Sequence, residues 1–200
     1  MSDCGCEFEA SNQAEKKTLW ILLLVNGGMF LVEGFIGLLA QSTGLLADSL
    51  DMLADASVYG ISLWAVGKAN SAKAKAATWS GIAQIALGFG VAIEVIRRFF
   101  LGSEPISLLM ISVGSLALIA NIFCLVLLSK HRKGEVHLRA SWIFSKNDVI
   151  ANTGVILSGL LVMVLNNRIP DLVIGAIITV VVIRGGTNIL EEARREKSLS

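Results

Sequence analysis

Thr18–Ala40 reads TLWILLLVNGGMFLVEGFIGLLA, an apolar run with a single acid, Glu33, inside it. A hydrocarbon core about 30 Å thick takes roughly 20 helical residues at 1.5 Å each, so this run is long enough to cross a bilayer. It is too long for the core of a signal peptide and no A-x-A cleavage site follows, which predicts a retained membrane helix. Five more segments of similar length lie downstream: Gly44–Val66, Ala77–Phe99, Ile106–Leu128, Ala140–Leu165 and Asp171–Leu190. The expected fold is therefore an all-α membrane protein of six transmembrane helices. It divides into an N-terminal tail over 1–17, a six-helix membrane domain over 18–190 and a C-terminal tail over 191–200, with no sizeable soluble domain. The second and fifth segments are the least apolar, and lipid would reject them unless neighbouring helices cover their polar faces.

Composition agrees. The chain is 54% hydrophobic with a mean hydropathy of +0.69, above the apolar share of soluble domains. A formal net charge of +1 argues against a nucleic-acid partner. Lys16, Lys17, Lys68, Lys73, Lys75, the basic loop around Lys130–Lys133, Arg139 and the C-terminal Arg194, Arg195 and Lys197 fall on one side of the six segments, against Arg97, Arg98 and Arg168 on the other. The positive-inside rule then places both termini in the cytoplasm, as an even number of spans also requires. Three cysteines do not make a disulfide framework. Cys4 and Cys6 sit in a polar tail, where with Glu7 and Glu9 they could at most capture a metal weakly, and Cys124 lies in an apolar run.

Six acids fall in the interior of the expected spans: Glu33, Asp48, Asp51, Asp55, Glu94 and Asp148. A charge at bilayer depth costs several kcal/mol, so such residues mark either ion pathways or paired structural contacts. Asp48, Asp51 and Asp55 share one face of the second helix at about 100° per residue, and Asp51 and Asp55 are one turn apart. Counted from the ends of their antiparallel segments, Asp51 and Asp148 both come to mid-bilayer depth, where transporter sites tend to lie. Asp51, Asp55 and Asp148 are therefore the expected metal ligands, their mutual repulsion relieved by a divalent cation or by protons. Glu33 and Glu94 are expected instead to pair with Lys146, Arg184 or helix ends, while Asp48, nearer the outer end, stays open between a place in the ion pathway and a cap or hydrogen bond. Lys146 is expected to snorkel toward the headgroups, with neutralisation of an empty carboxylate as the alternative. The glycines, among them Gly37, Gly81, Gly88, Gly90 and Gly186, are read as helix-packing positions, and Gln84 and Asn121 as interhelical hydrogen-bonders.

Two stretches carry a resemblance. Ser42–Asp55, STGLLADSLDMLAD, resembles the second-helix motif S-x-x-L-L-A-D-x-x-[HD]-x-x-x-D of the cation diffusion facilitators, whose last two acidic or His positions match Asp51 and Asp55. Ser141–Gly159, SWIFSKNDVIANTGVILSG, is similar to the fifth-helix motif H-x-x-x-D followed by small residues and G-V, matching Asp148 and Gly154–Val155, and Glu33 before Gly37 resembles the family's first helix. The resemblance implies a proton-coupled exporter of Zn²⁺ or a similar cation, with a tetrahedral site of four side chains on the second and fifth helices. It also implies alternating access, a homodimer and, for this chain, a prokaryotic inner membrane. Two departures stand out: Phe144 occupies the His position, and only a short tail follows the sixth span in place of the family's cytoplasmic domain. Asn152, one turn beyond Asp148, or Asn147 beside it, or Ser145 or water, is expected to complete the shell. An all-oxygen shell suits harder cations such as Mn²⁺ or Fe²⁺ better than one with imidazole, so Zn, Mn, Fe, Co and Cd all stay open as transported substrate, with protons as the coupling ion. His131, Glu135 and His137 in the loop Ser129–Arg139 are either a weak loading site or a solvated stretch. The competing class is a metal-independent membrane scaffold or sensor. An enzyme is not expected, since H-E-x-x-H, G-x-S-x-G and P-loop patterns are missing.

Overall fold

The computed structural model describes the backbone over 6–65, 70–129 and 136–198, and side chains over 16–61, 63–64, 75, 78–129, 148–191 and 193–194. The described backbone is six helices: α1 (Cys6–Leu39), α2 (Thr43–Ala65), α3 (Asn70–Leu101), α4 (Ser107–Ser129), α5 (Val136–Leu165) and α6 (Ile169–Ser198). Each expected span falls on one helix, and α1, α3 and α6 run on past their apolar stretches on the Lys- and Arg-rich side, referred to below as the basic end.

Five helices contain a stretch long and apolar enough to cross a membrane by composition alone, and α2 is the exception. Its three aspartates lower its hydropathy, and the packing explains how it is tolerated. The other helices form an arc in the spatial order α1, α4, α5, α6, α3, each touching the next, and α2 packs against all five. Lipid faces the arc: Trp20, Leu31, Phe35, Ile93, Phe100 and Val164 are among its exposed large apolar side chains. An apolar surface of this extent is unstable in water and natural in a bilayer.

The α1–α2 junction is tight. Gln41 takes a left-handed conformation (φ 49°), Gln41 N donates to Leu38 O at 3.2 Å and Ser42 N to Gly37 O at 3.0 Å, the pattern of a Schellman C-cap. Ser42 then caps the next helix, its Oγ accepting from Leu45 N at 3.1 Å. The remaining donors of this helix start go to α6. Asp171, fully buried, accepts from Ser42 Oγ at 2.6 Å, Thr43 N at 2.7 Å, Thr43 Oγ1 at 2.9 Å and Gly44 N at 3.0 Å. A carboxylate at the positive end of the α2 dipole satisfies amides that would otherwise be orphaned.

Gly175, one turn after Asp171, allows this contact, since a Cβ there would stand 2.7 Å from Thr43. Gly175→Ala should destabilise the protein by about 1–3 kcal/mol, the usual range for overpacking, read as a lowered thermal midpoint in detergent. The α3–α6 crossing is close for the same reason: a Cβ at Gly81 would meet Gly186 O at 3.0 Å, and one at Gly88 would meet Ile183 Cγ1 at 2.7 Å. Gln84 Nε2 donates across it to Val182 O at 3.0 Å, as the sequence reading expects. Gly90 departs from the packing expectation, because a Cβ there would meet nothing within 4 Å. Asn121 departs as well: it is buried, and neither polar atom of its side chain has a hydrogen-bond partner.

Apolar clusters bracket the acids along α2. Leu45, Ala47 and Leu50 join Ala40, Met110, Val155 and Ile178 at one end, and Tyr59 joins Leu19, Leu22, Cys124 and Leu128 at the basic end. Asp51 and Asp55 lie between them on a helix whose start is fixed by Asp171.

Candidate metal centre

Asp51 and Asp55 follow one another by a single turn on the central helix, and α5 supplies Asp148. The Asp148 carboxyl lies within hydrogen-bonding reach of both Asp51 and Asp55, although these residues are separated by nearly a hundred positions in the chain. Asp148 is 7% exposed and its Oδ2 has no hydrogen-bond partner, while Asp51 and Asp55 are half-buried. Carboxyl groups at such range are held together by a shared proton or by a cation between them. Among the described residues, no ion pair involves these three acids, and no three acidic, His or Cys side chains enclose a common point at ion-binding distance as they stand. The site is thus a convergence of carboxyls from two helices rather than a closed cage.

Asn152 sits one turn beyond Asp148 and is fully buried. Its Nδ2 donates to Asp148 O at 2.8 Å, which leaves Oδ1 as a buried acceptor with no partner. An amide oxygen is a fitting hard ligand beside carboxylates. The side chain of Asn147, the other expected amide, lies outside the described residues, as do those of Phe144, Ser145 and Lys146. The same holds for Cys4, Cys6, Glu7, Glu9, His131, Glu135 and His137.

The remaining buried acids depart from their expected partners. Among the described residues Glu33 pairs with neither Arg184 nor a helix end; Lys146, its other expected partner, lies outside them. The Glu33 side chain, fully buried, comes within hydrogen-bonding reach of Asp48, which is 1% exposed. Antiparallel packing of α1 on α2 brings these two acids to one level, a relation invisible to periodicity within either helix. Glu94 is paired, with local partners: Oε2 and Oε1 accept from Arg97 Nε at 2.7 Å and Nη2 at 2.6 Å, and Oε1 accepts from Arg98 Nε at 2.7 Å. These i+3 and i+4 spacings were readable in the sequence.

Sequence reasoning missed Asp171 and Tyr59. Asp171 stands at the head of the sixth apolar run and reads as a simple boundary residue. A signal did exist in α2, which has no acid in its first turn and so leaves room for one supplied from outside. Tyr59, one turn after Asp55, donates from Oη to Asp55 Oδ2 at 3.1 Å and is 1% exposed. Behind it, Asn26 Nδ2 donates to Leu22 O at 2.9 Å and approaches Cys124 Sγ at 3.7 Å. Glu33, Asp48, the three site aspartates, Tyr59 and the Asn26–Cys124 pair thus form a column of polar side chains among α1, α2, α4 and α5.

Comparison with known proteins gives this column a context. A family model described as the cation efflux transmembrane domain matches residues 19–196. The chain is also 23% identical over 104 residues to the zinc transporter ZitB of Yersinia pseudotuberculosis serotype I (strain IP32953), and to the protein of that name from Yersinia pestis. Each match covers 52% of this chain and 33% of the relative. The chain spans about a third of the length of the curated relatives it matches. Because the family model runs through all six helices, the chain belongs to the cation efflux family, the cation diffusion facilitators, a family of membrane transporters rather than enzymes.

Proposed function

We propose that this protein exports a divalent metal cation from the cytoplasm in exchange for protons, with Asp51, Asp55 and Asp148 as the cation's carboxylate ligands and Asn152 as a fourth oxygen donor. The observation that carries the reading is the approach of Asp148 on α5 to Asp51 and Asp55 on α2, inside a helical bundle, with no cationic partner among the described residues. A cation drawn between the helices offsets the repulsion that otherwise keeps three anions from closing on one point. Asn147 stays in the proposal as a second amide near the site.

Transport follows from differential access. With α2 and α5 parted at the basic end, cytosolic metal reaches the deprotonated carboxylates. Closing around the ion and opening at the other end exposes it to outside protons, which compete for the same oxygens. The protonated, metal-free site then returns. Because proton and metal exclude one another at these oxygens, cation affinity falls as pH falls. The names of the bacterial relatives favour zinc, whereas a set of oxygen ligands favours a harder ion. The choice is experimental: proteoliposomes containing a pH-sensitive dye, exposed in turn to Zn²⁺, Mn²⁺, Fe²⁺, Co²⁺ and Cd²⁺, should report metal-driven proton movement for at least one of them. No proton movement with any ion, together with a thermal stability indifferent to metal, would support a scaffold instead. A homodimer and a bacterial inner membrane are the proposed assembly and location.

A further inference from the structure

We propose that Tyr59 is a positioning residue for the metal centre: its phenol holds one oxygen of Asp55 so that the other is presented to the cation. This inference rests on the reading of Asp55 as a ligand. Its basis is a hydrogen bond from Tyr59 Oη to Asp55 Oδ2 at 3.1 Å, made by a side chain that is 1% exposed.

Tyr59 is the only tyrosine in the chain, placed where an apolar residue would serve the packing equally well. Its ring lies in the apolar cluster of Leu19, Leu22, Cys124 and Leu128, and each of these neighbours is satisfied by a phenyl ring. A phenol in such surroundings is costly unless its hydroxyl finds an acceptor, and the acceptor here is a carboxylate oxygen of the proposed site. The i to i+4 spacing puts both side chains on one face of α2, so the bond is made within one rigid helix and persists whichever way α2 and α5 move. Asp55 is thereby fixed in one rotamer before any cation arrives. With Oδ2 engaged, Asp55 offers a single oxygen, a monodentate ligand suited to a low coordination number. Carboxylates that bind metals are commonly oriented by such hydrogen bonds, and removing the donor typically weakens metal affinity about 10–100-fold.

The alternative is that Tyr59 only fills space. The two are separated by a cycle of four full-length proteins in detergent: wild type, Tyr59→Phe, Asp55→Asn and the double variant, titrated calorimetrically with Zn²⁺ and followed by thermal unfolding. Tyr59→Phe should raise the Kd for Zn²⁺ about tenfold with an unchanged thermal midpoint, and should add less than about twofold in the Asp55→Asn background, since the group it orients has lost its charge. An equal loss in both backgrounds, or no loss in the single variant, overturns the proposal. Should the phenylalanine variant fail to fold, Tyr59→Met, which fills the space with a flexible apolar chain and also lacks the hydroxyl, reads the same cycle. Asp51→Asn serves as the separate control. Wild-type Zn²⁺ affinity there would overturn the metal centre itself, whereas lost affinity there with a silent Tyr59→Phe would overturn only the role of Tyr59.

Discussion

Asp148→Asn should abolish metal-driven proton movement in proteoliposomes while the protein still folds. The substitution keeps the shape of the side chain and removes its charge. Asp148 is the sole carboxylate that α5 brings to Asp51 and Asp55, so its loss leaves two anionic groups on α2 and only the neutral Asn152 on α5 to draw the helices together. Removing one partner from a buried, charge-assisted contact costs about 2–5 kcal/mol, and about 3 kcal/mol corresponds to a roughly 100-fold weaker Kd. Asp51→Asn should behave in the same way, because each acid provides a charge the others cannot replace. Folding is expected to hold or improve, since the three anions repel one another when no cation lies among them. A stability curve for Asp148→Asn that matches or exceeds wild type, alongside lost transport, is the signature of a functional acid. A collapse in stability with transport intact in the folded fraction would mark a structural one.

Asp171→Ala should show the reverse pattern, with a large effect on stability. The change strips the acceptor from the Ser42 hydroxyl and from the amides of Thr43 and Gly44, while Thr43 Oγ1 keeps its bond to the Asp171 backbone oxygen at 3.0 Å, at a junction that is fully buried. Each of these three buried donors left unsatisfied costs about 1–3 kcal/mol, so a loss of at least about 3 kcal/mol is expected, offset in part by any water that enters. Asp171→Asn, which keeps one oxygen acceptor but no charge, should cost about half as much. Thermal or denaturant unfolding in detergent measures both. Because α2 carries Asp51 and Asp55, loosening its start should also lower the affinity for metal without touching a ligand.

The two cases mark how far the sequence could be read. Hydropathy located all six helices because a bilayer imposes a length and a composition on whatever crosses it. It stopped at the membrane boundary, so the polar continuations of α1, α3 and α6 were out of its reach. It also placed α2, with α5, among the least apolar segments for the reason that makes α2 central: the aspartates that lower its hydropathy are those its neighbours enclose. Periodicity put Asp48, Asp51 and Asp55 on one face, and depth counting brought Asp148 to their level. The Glu33–Asp48 approach and the Asp171 cap were not legible, since each joins two helices whose relative rotation is set by side-chain packing. Glu94 differs for another reason: its partners Arg97 and Arg98 lie within one turn of its own helix, nearer in the chain than Lys146 or Arg184.

The proposal is tested most directly by locating the ion. Crystals or cryo-preserved particles of the full chain loaded with Cd²⁺ or Zn²⁺ should show one strong metal peak within the bundle, bonded by oxygens of Asp51, Asp55 and Asp148 at about 2.0–2.4 Å. A peak away from α2 and α5, or a loaded protein in which Asp148 turns away from the α2 aspartates, would contradict it.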